Sequence, residues 1–315
     1  MANPCRMASL LAIVVVATIG CPMGNKQTLV FEGKTRTYTL HVPAMHSAKT
    51  PMPLAVLLHP AFLSGDRMQR LTGFNRIADQ YGYIVAYPDG VRRVWNLESE
   101  SDGRPLGGSR ANDAGFIHAL IDDLQQRYPI DPTRIYIAGA SAGSMLTHRL
   151  VTQSPRFAAA ATVMGTFPQK LLAQDASQRP IPMLIIHGTD DRIVPYAGGN
   201  VNLGPGASIN LLSAPDTAAH YAARNLCERP TEPATLIDAD PADGTRTHRT
   251  LYPNGRDGAT VVLYAVEGGG HTWPGQSSTL LTFLIGRISR DFSASEAIGA
   301  FFAAHPTPSP APPPP

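Results

Sequence analysis

Cysteine is scarce in this chain. Three occur in 315 residues, and two of them, Cys5 and Cys21, fall within the first 21. Cys227 is left alone, so neither a disulfide framework nor a Cys/His metal spacing can be read from the sequence. Charge bias is lacking too. The 26 Lys and Arg against 24 Asp and Glu give a net charge of +2 without a basic cluster, which gives no support to a nucleic-acid partner. There is no internal repeat. No apolar run reaches the roughly 20 residues of a membrane-spanning helix. The stretch Met7–Ile19 has 13 residues, follows Arg6 and leads into small residues, which is the pattern of an export signal. What remains is a chain 43% hydrophobic, enough to bury one large core.

The expected organisation is a signal over 1–21, one catalytic domain over 27–305 and a proline-rich tail over 306–315. Thr18-Ile19-Gly20-Cys21 resembles a lipoprotein processing box, with Thr18 a poor match. Two readings stand: membrane anchoring through a lipidated Cys21, or an ordinary secretory signal cut nearby. Either places the protein outside the cell or in its envelope. In the second reading a Cys21–Cys227 disulfide is open in an oxidising compartment.

Within 27–305, strands and helices alternate. The pattern predicts an α/β fold with a mostly parallel sheet covered on both faces, preceded by an N-terminal antiparallel hairpin over 27–31 and 35–42. Strands are expected near 54–58, 83–87, 134–139, 158–163, 182–187 and 260–266. Helices are expected near 66–80, 112–127, 142–153, 215–226 and 294–304, the last opened by Ser293 and Glu296 at capping-box spacing. Ala197–Gly206, rich in Gly and Asn, reads as a loop beside the cleft.

The chemistry is concentrated in Gly139-Ala140-Ser141-Ala142-Gly143. This is the G-x-S-x-G pattern of a nucleophile on a sharp strand-to-helix turn. The apolar run Arg134–Ala138 precedes it, and a stretch without Gly or Pro, Ser144–Leu150, follows. A serine hydroxyl is a weak nucleophile. It needs a base, and the base needs an orienting carboxylate, in the chain order serine, acid, histidine. Met183–His187 is an apolar strand running into a loop with Asp190 and Asp191; Val261–Val266 runs into Gly268-Gly269-Gly270-His271. Both loops belong at the carboxyl ends of strands, where open α/β sheets bind ligands. Of ten histidines, His271 alone combines this order, a strand-end place and a glycine-rich loop. His59 and His187 end apolar strands and read as structural. The oxyanion hole needs two backbone donors. Ala142 supplies one. The other comes from the loop after Leu54–Leu58; Pro60 has no N–H, which leaves Ala61, preferred, or Phe62. Candidate pocket aromatics are Trp273 beside His271, Trp95, and Phe62, although either tryptophan is equally readable as core.

These motifs resemble the polyhydroxybutyrate depolymerase-like and feruloyl esterase-like α/β-hydrolases over Thr28 to Pro306. The likeness rests on Tyr87-Pro88-Asp89-Gly90 with Trp95-Asn96, Asn112–Phe116, Ile130–Tyr136 and the elbow. It continues in His187-Gly188-Thr189 with Asp191 and Val194-Pro195-Tyr196, in Gly269–Gly275, and in Phe301-Phe302. The resemblance implies Asp191 rather than Asp190 as the acid, and a serine carboxylesterase without a cofactor or metal. It implies no disulfide at Cys227, because the usual partner position near Tyr252–Gly255 has no cysteine. Two departures stand out: His59-Pro60 where the family reads His-Gly, and Ala142 and Ser144 where relatives carry Asn or a second Gly. Because the chain ends soon after the domain, soluble esters are expected: hydroxyalkanoate oligomers or, as the alternative, feruloyl and acetyl esters of plant polysaccharides. A serine peptidase and a noncatalytic binding lipoprotein are the lesser readings.

Overall fold

A computed structural model describes residues 25–45, 50–97, 109–175, 179–204, 207–230, 235–276 and 285–307. The export signal with Cys21, and residues 308–315 of the tail, lie outside them. Hydrophobic runs without alternation form the centre of the sheet. In β3 (Met52–Leu58) every residue is buried, as in β4 (Ile84–Pro88), β6 (Ala159–Val163) and β7 (Met183–Gly188). A strand so covered needs helices on both faces, which a parallel sheet provides. β5 (Ile130–Ala140) lies between β3 and β6, and β12 (Val261–Glu267) runs parallel to β7.

Antiparallel strands extend both edges. β1 (Asn25–Phe31) and β2 (Lys34–His41) form the expected hairpin, and β2 pairs with β4. On the other side, β11 (Arg246–Tyr252) and β10 (Thr235–Ile237) follow β12. The full order is β1-β2-β4-β3-β5-β6-β7-β12-β11-β10.

Alternate residues of β3 divide between two cores. Leu54, Val56 and Leu58 meet α3 (Asp113–Arg127), α4 (Ala142–Gln153) and α5 (Ala214–Asn225). Ala55 and Leu57 face α1 (Gly65–Thr72), α2 (Phe74–Tyr81) and α6 (Ala294–Ala304). Local signals set the helix ends. Asn112 Oδ1 accepts from Gly115 N, Ser213 Oγ from Asp216 N and Ser293 Oγ from Glu296 N. The Glu296 side chain does not reach back as a capping box would; it pairs with Arg76 at 2.6 Å.

Two expectations need correction. The helix expected over 66–80 is two, because Gly73 takes φ 57° and closes α1 by donating to Gln69 O. Part of the expected loop 197–206 is β-structure: β8 (Gly199–Gly204) pairs with β9 (Ala207–Leu211). Val201, Ile209 and Leu211 are buried, while Asn200 Nδ2 donates to Asn210 Oδ1 across the ladder at 2.9 Å. Among the described residues no helix is long and apolar enough to cross a membrane.

Candidate active site

Ser141 joins β5 to α4 at φ 53° and ψ −117°. A side chain there is strained, at a cost of roughly 1–3 kcal/mol that the surroundings must offset. They do so by close packing. A β-carbon on Gly143 would overlap Leu58 O and stand 2.8 Å from His59 O; one on Gly165 would stand 2.6 Å from Ser141 O. Ser141 N donates to Val163 O at 2.9 Å. Ser144 Oγ lies 2.7 Å from Gly139 O and accepts from Val163 N at 3.1 Å, fastening the turn to the end of β6. Gly143→Ala should therefore lower stability by about 3 kcal/mol through backbone overlap, which thermal unfolding would register as a Tm drop of roughly 6–12 °C.

Asp191 and His271 meet. His271 Nδ1 lies 2.7 Å from Asp191 Oδ2. An ionised carboxylate only accepts, so Nδ1 carries the proton and Nε2 keeps its lone pair. The other carboxylate oxygen accepts from Ile193 N and Val194 N, both at 2.9 Å. Burial pushes the Asp191 pKa up, but His271, His187 and the Val194 amide outweigh it, so the net shift is downward. Asp190 faces outward, 3.9 Å from Arg287. Its backbone N–H instead ties this loop to the histidine loop by donating to Gly269 O, as Gly268 N does to Thr189 Oγ1. Gly188 allows that approach: a β-carbon there would reach 2.5 Å from Gly270 O.

Ser141 lies at the same sheet edge, nearly buried, and its Oγ makes no hydrogen bond among the described residues. Contacts of this kind are often long without substrate and tighten when it binds.

The loop after β3 is held by His59. Gly90 N donates to His59 Nε2 at 2.9 Å, so Nδ1 must carry the hydrogen that goes to Pro60 O at 2.8 Å. Burial pushes the His59 pKa down to about 4, fixing the neutral ring. Trp95 stacks on that ring at 4.5 Å and its indole N–H donates to His59 O at 2.8 Å. Phe62 N donates to Arg93 O at 2.7 Å, which commits that donor and leaves Ala61 as the candidate in this loop. Ala142 opens α4, where first-turn N–H groups lack acceptors within the helix.

Both candidate pocket tryptophans are buried, in line with their alternative reading as core. Trp95 is 0% exposed and braces the loop after β3 through the His59 ring and carbonyl. Trp273 is 1% exposed, sits in the core under α6 and donates to Ser295 Oγ. Both are framework, because their ring area is spent on packing. Phe62 is 47% exposed at φ 67° and stays at the rim. A small groove of about 20 Å³ runs beside the nucleophile helix, lined by Leu97, Met145, Arg149, Lys170, Leu171 and Ile209. A larger cavity of about 270 Å³, with Arg179, Pro182 and Ala259, opens at the amino ends of β6, β7 and β12, away from this chemistry.

Sequence reasoning missed Ser144, Gly165 and Thr189 as supports. Thr189 had a signal, since it stands inside His187-Gly188-Thr189; Gly165 and Ser144 act through a contact between β6 and the elbow that no local pattern reveals. His187 Nε2 donates to Val194 O at 2.8 Å, which fits its structural reading.

The known proteins similar to this chain include esterases. A family model described as Esterase PHB depolymerase matches residues 36–172. NocK of Nocardia uniformis subsp. tsuyamanensis, provisionally named an esterase, is 32% identical over 85% of this chain and 79% of its own. Feruloyl esterase B of Piromyces equi is 25% identical over 75% of this chain, and the match spans 42% of that protein's length. The acetyl xylan esterase from Aspergillus awamori superposes with a TM-score of 0.56 at 19% identity, covering 79% of this chain and 94% of that one, which supports the fold.

Proposed function

The chain belongs to the Esterase PHB depolymerase family and is a carboxylic ester hydrolase; from that premise we propose that Ser141, His271 and Asp191 carry its acyl transfer. The supporting observation is the 2.7 Å His271–Asp191 bond, at the same sheet edge as a serine in a strained elbow.

His271 Nε2 takes the Ser141 proton as Oγ attacks the ester carbonyl. Asp191 holds the tautomer and stabilises the imidazolium that forms. Ala142 and Ala61 N–H groups receive the developing oxyanion. The tetrahedral adduct collapses, His271 protonates the departing alkoxide, and an acyl-serine remains. A water then gives its proton to His271 and attacks the acyl carbon. On the second collapse Ser141 Oγ leaves and regains its proton from His271. The acid is released without any cofactor.

The substrates we propose are hydroxyalkanoate oligomers. The match to the family described as Esterase PHB depolymerase supports this reading. Feruloyl and acetyl esters of polysaccharides are the second reading, favoured by the likeness to Feruloyl esterase B. Export, with or without lipidation at Cys21, rests on the sequence of the first 21 residues. A panel of p-nitrophenyl acetate, butyrate and octanoate, hydroxybutyrate dimer, methyl ferulate and a peptide p-nitroanilide tests the substrate reading. The expected ranking puts butyrate and the dimer at least about tenfold above ferulate in kcat/KM, with no anilide cleavage. Ferulate ranking first would transfer the assignment to the second reading.

A further inference from the structure

We propose that the mouth of this site selects esters that carry a carboxylate near the scissile bond, an inference that rests on the esterase reading above. The described chain is nearly balanced in charge, yet its charges are unevenly committed around the catalytic edge. Carboxylates there are engaged: Asp66 with Arg70, Asp89 with Lys26, Asp113 with Arg36, Asp175 with His220 and Arg224, and Asp190 with Arg287. Four cations are not. Arg92, Arg93, Lys170 and Arg192 are exposed, and none makes an ion pair or a side-chain hydrogen bond among the described residues.

Their places in the fold surround the proposed chemistry. Arg93 is bonded through its carbonyl to Phe62 N, and Gly90 and Trp95 on either side are bonded to His59, so the segment holding Arg92 and Arg93 is stitched to the oxyanion loop at three points. Arg92 and Arg93 are consecutive residues in left-handed conformation, at φ 55° and 62°. Such conformations persist where surrounding contacts hold them, and they concentrate at ligand-binding sites. Arg192 lies between Asp191 and Ile193, whose N–H grips the Asp191 carboxylate. Lys170 lines the groove that includes Met145, one helical turn beyond Ser141. The loops after β4, β6 and β7, all at the carboxyl edge of the sheet, thus carry exposed cations with no ion pair among the described residues. A cleft lined by one sign of charge concentrates ligands of the other and speeds their capture. Neutral acetyl and feruloyl esters gain nothing from this, whereas a hydroxyacid oligomer ends in a carboxylate a few bonds from its last ester.

The test compares the 3-hydroxybutyrate dimer as its free carboxylate with the same dimer as its terminal carboxamide, using p-nitrophenyl butyrate as the neutral reference. At low ionic strength the wild-type chain should favour the carboxylate by at least about fivefold in kcat/KM, and the ratio should fall toward one at high salt, because exposed charges are screened. In the R93Q/K170Q/R192Q variant the ratio should fall to near one at low salt as well. Equal rates for the two dimers, with butyrate still hydrolysed, would overturn the charge preference and leave the esterase reading standing. No hydrolysis of butyrate or of either dimer would overturn the esterase reading itself.

Discussion

Ser141→Ala is expected to reduce hydrolysis of p-nitrophenyl butyrate by at least about 10^4-fold, since loss of the nucleophile leaves only the residual contribution of the oxyanion donors and binding. The reduction should appear in kcat, with the folded chain intact, and a fluorophosphonate that labels the wild type should leave the variant unmarked. The elbow geometry adds a second, independent readout. At φ 53° and ψ −117° alanine is as strained as serine, whereas glycine enters this mirror-image region freely. Ser141→Gly should therefore be equally inactive yet more stable than Ser141→Ala by about 1 kcal/mol, the strain relieved less the extra freedom of glycine in the unfolded chain. Thermal unfolding of the two inactive variants reads this directly. If the alanine variant proved the more stable, the strain assigned to the elbow would be wrong even with activity lost.

The central sheet was legible because its strands are short apolar runs set between helical patterns, a signal that survives without context. Ser141 was legible for a related reason. The turn it occupies demands Gly139 and Gly143, and their spacing is visible locally. Asp191 and His271 were legible as strand-end residues in the right order, but the choice of Asp191 over Asp190 depended on the family pattern. The structure supplies the physical reason: Oδ1 of Asp191 is gripped by the amides of Ile193 and Val194, which turns Oδ2 toward His271, while Asp190 is drawn outward toward Arg287.

Less legible was which face a side chain presents. Trp95 and Trp273 border candidate-site loops in sequence, and adjacency left substrate contact and core packing equally open. Trp95 is committed to the His59 ring and carbonyl, and Trp273 to Ser295. Chain proximity to a catalytic group says little about burial. The β8–β9 hairpin was missed because glycine and asparagine suppress strand propensity, although Val201, Ile209 and Leu211 carried the period-two signal. The break at Gly73 was missed because amphipathic spacing continues across it. Pro60, where the family reads Gly, turned out to have a defined role: its carbonyl accepts from His59 Nδ1, and the ring thereby receives Gly90 N at its other nitrogen. The substitution is compatible with the loop because proline loses only an N–H, and the bond made here uses its C=O.

Asp191→Asn tests the acid most sharply. An asparagine at 191 can still accept from the Ile193 and Val194 amides through its carbonyl oxygen, so the loop should hold. Its NH2 group would then face His271 Nδ1 and donate to it. The imidazole would have to carry its proton on Nε2, toward Ser141, and could no longer act as base. The expected loss is about 10^4-fold in kcat, against less than about twofold for Asp190→Asn, an exposed position of the kind that tolerates change. Stability gives the complementary sign. Despite burial, His271, His187 and the Val194 amide hold the folded-state pKa of Asp191 below the ordinary carboxylate value. Its ionised form therefore contributes stability that is fully present above about pH 4, and that stability is lost as pH falls through the depressed folded value. Urea unfolding from pH 7 down to pH 3 should show the wild-type chain weakening in that acid window more steeply than Asp191→Asn. Parallel profiles would mean that the carboxylate is not engaged as the 2.7 Å bond to His271 requires. A kcat loss shared equally by Asp190→Asn and Asp191→Asn would mean that this loop contributes only a fold, and the acid would have to be sought elsewhere along the sheet edge.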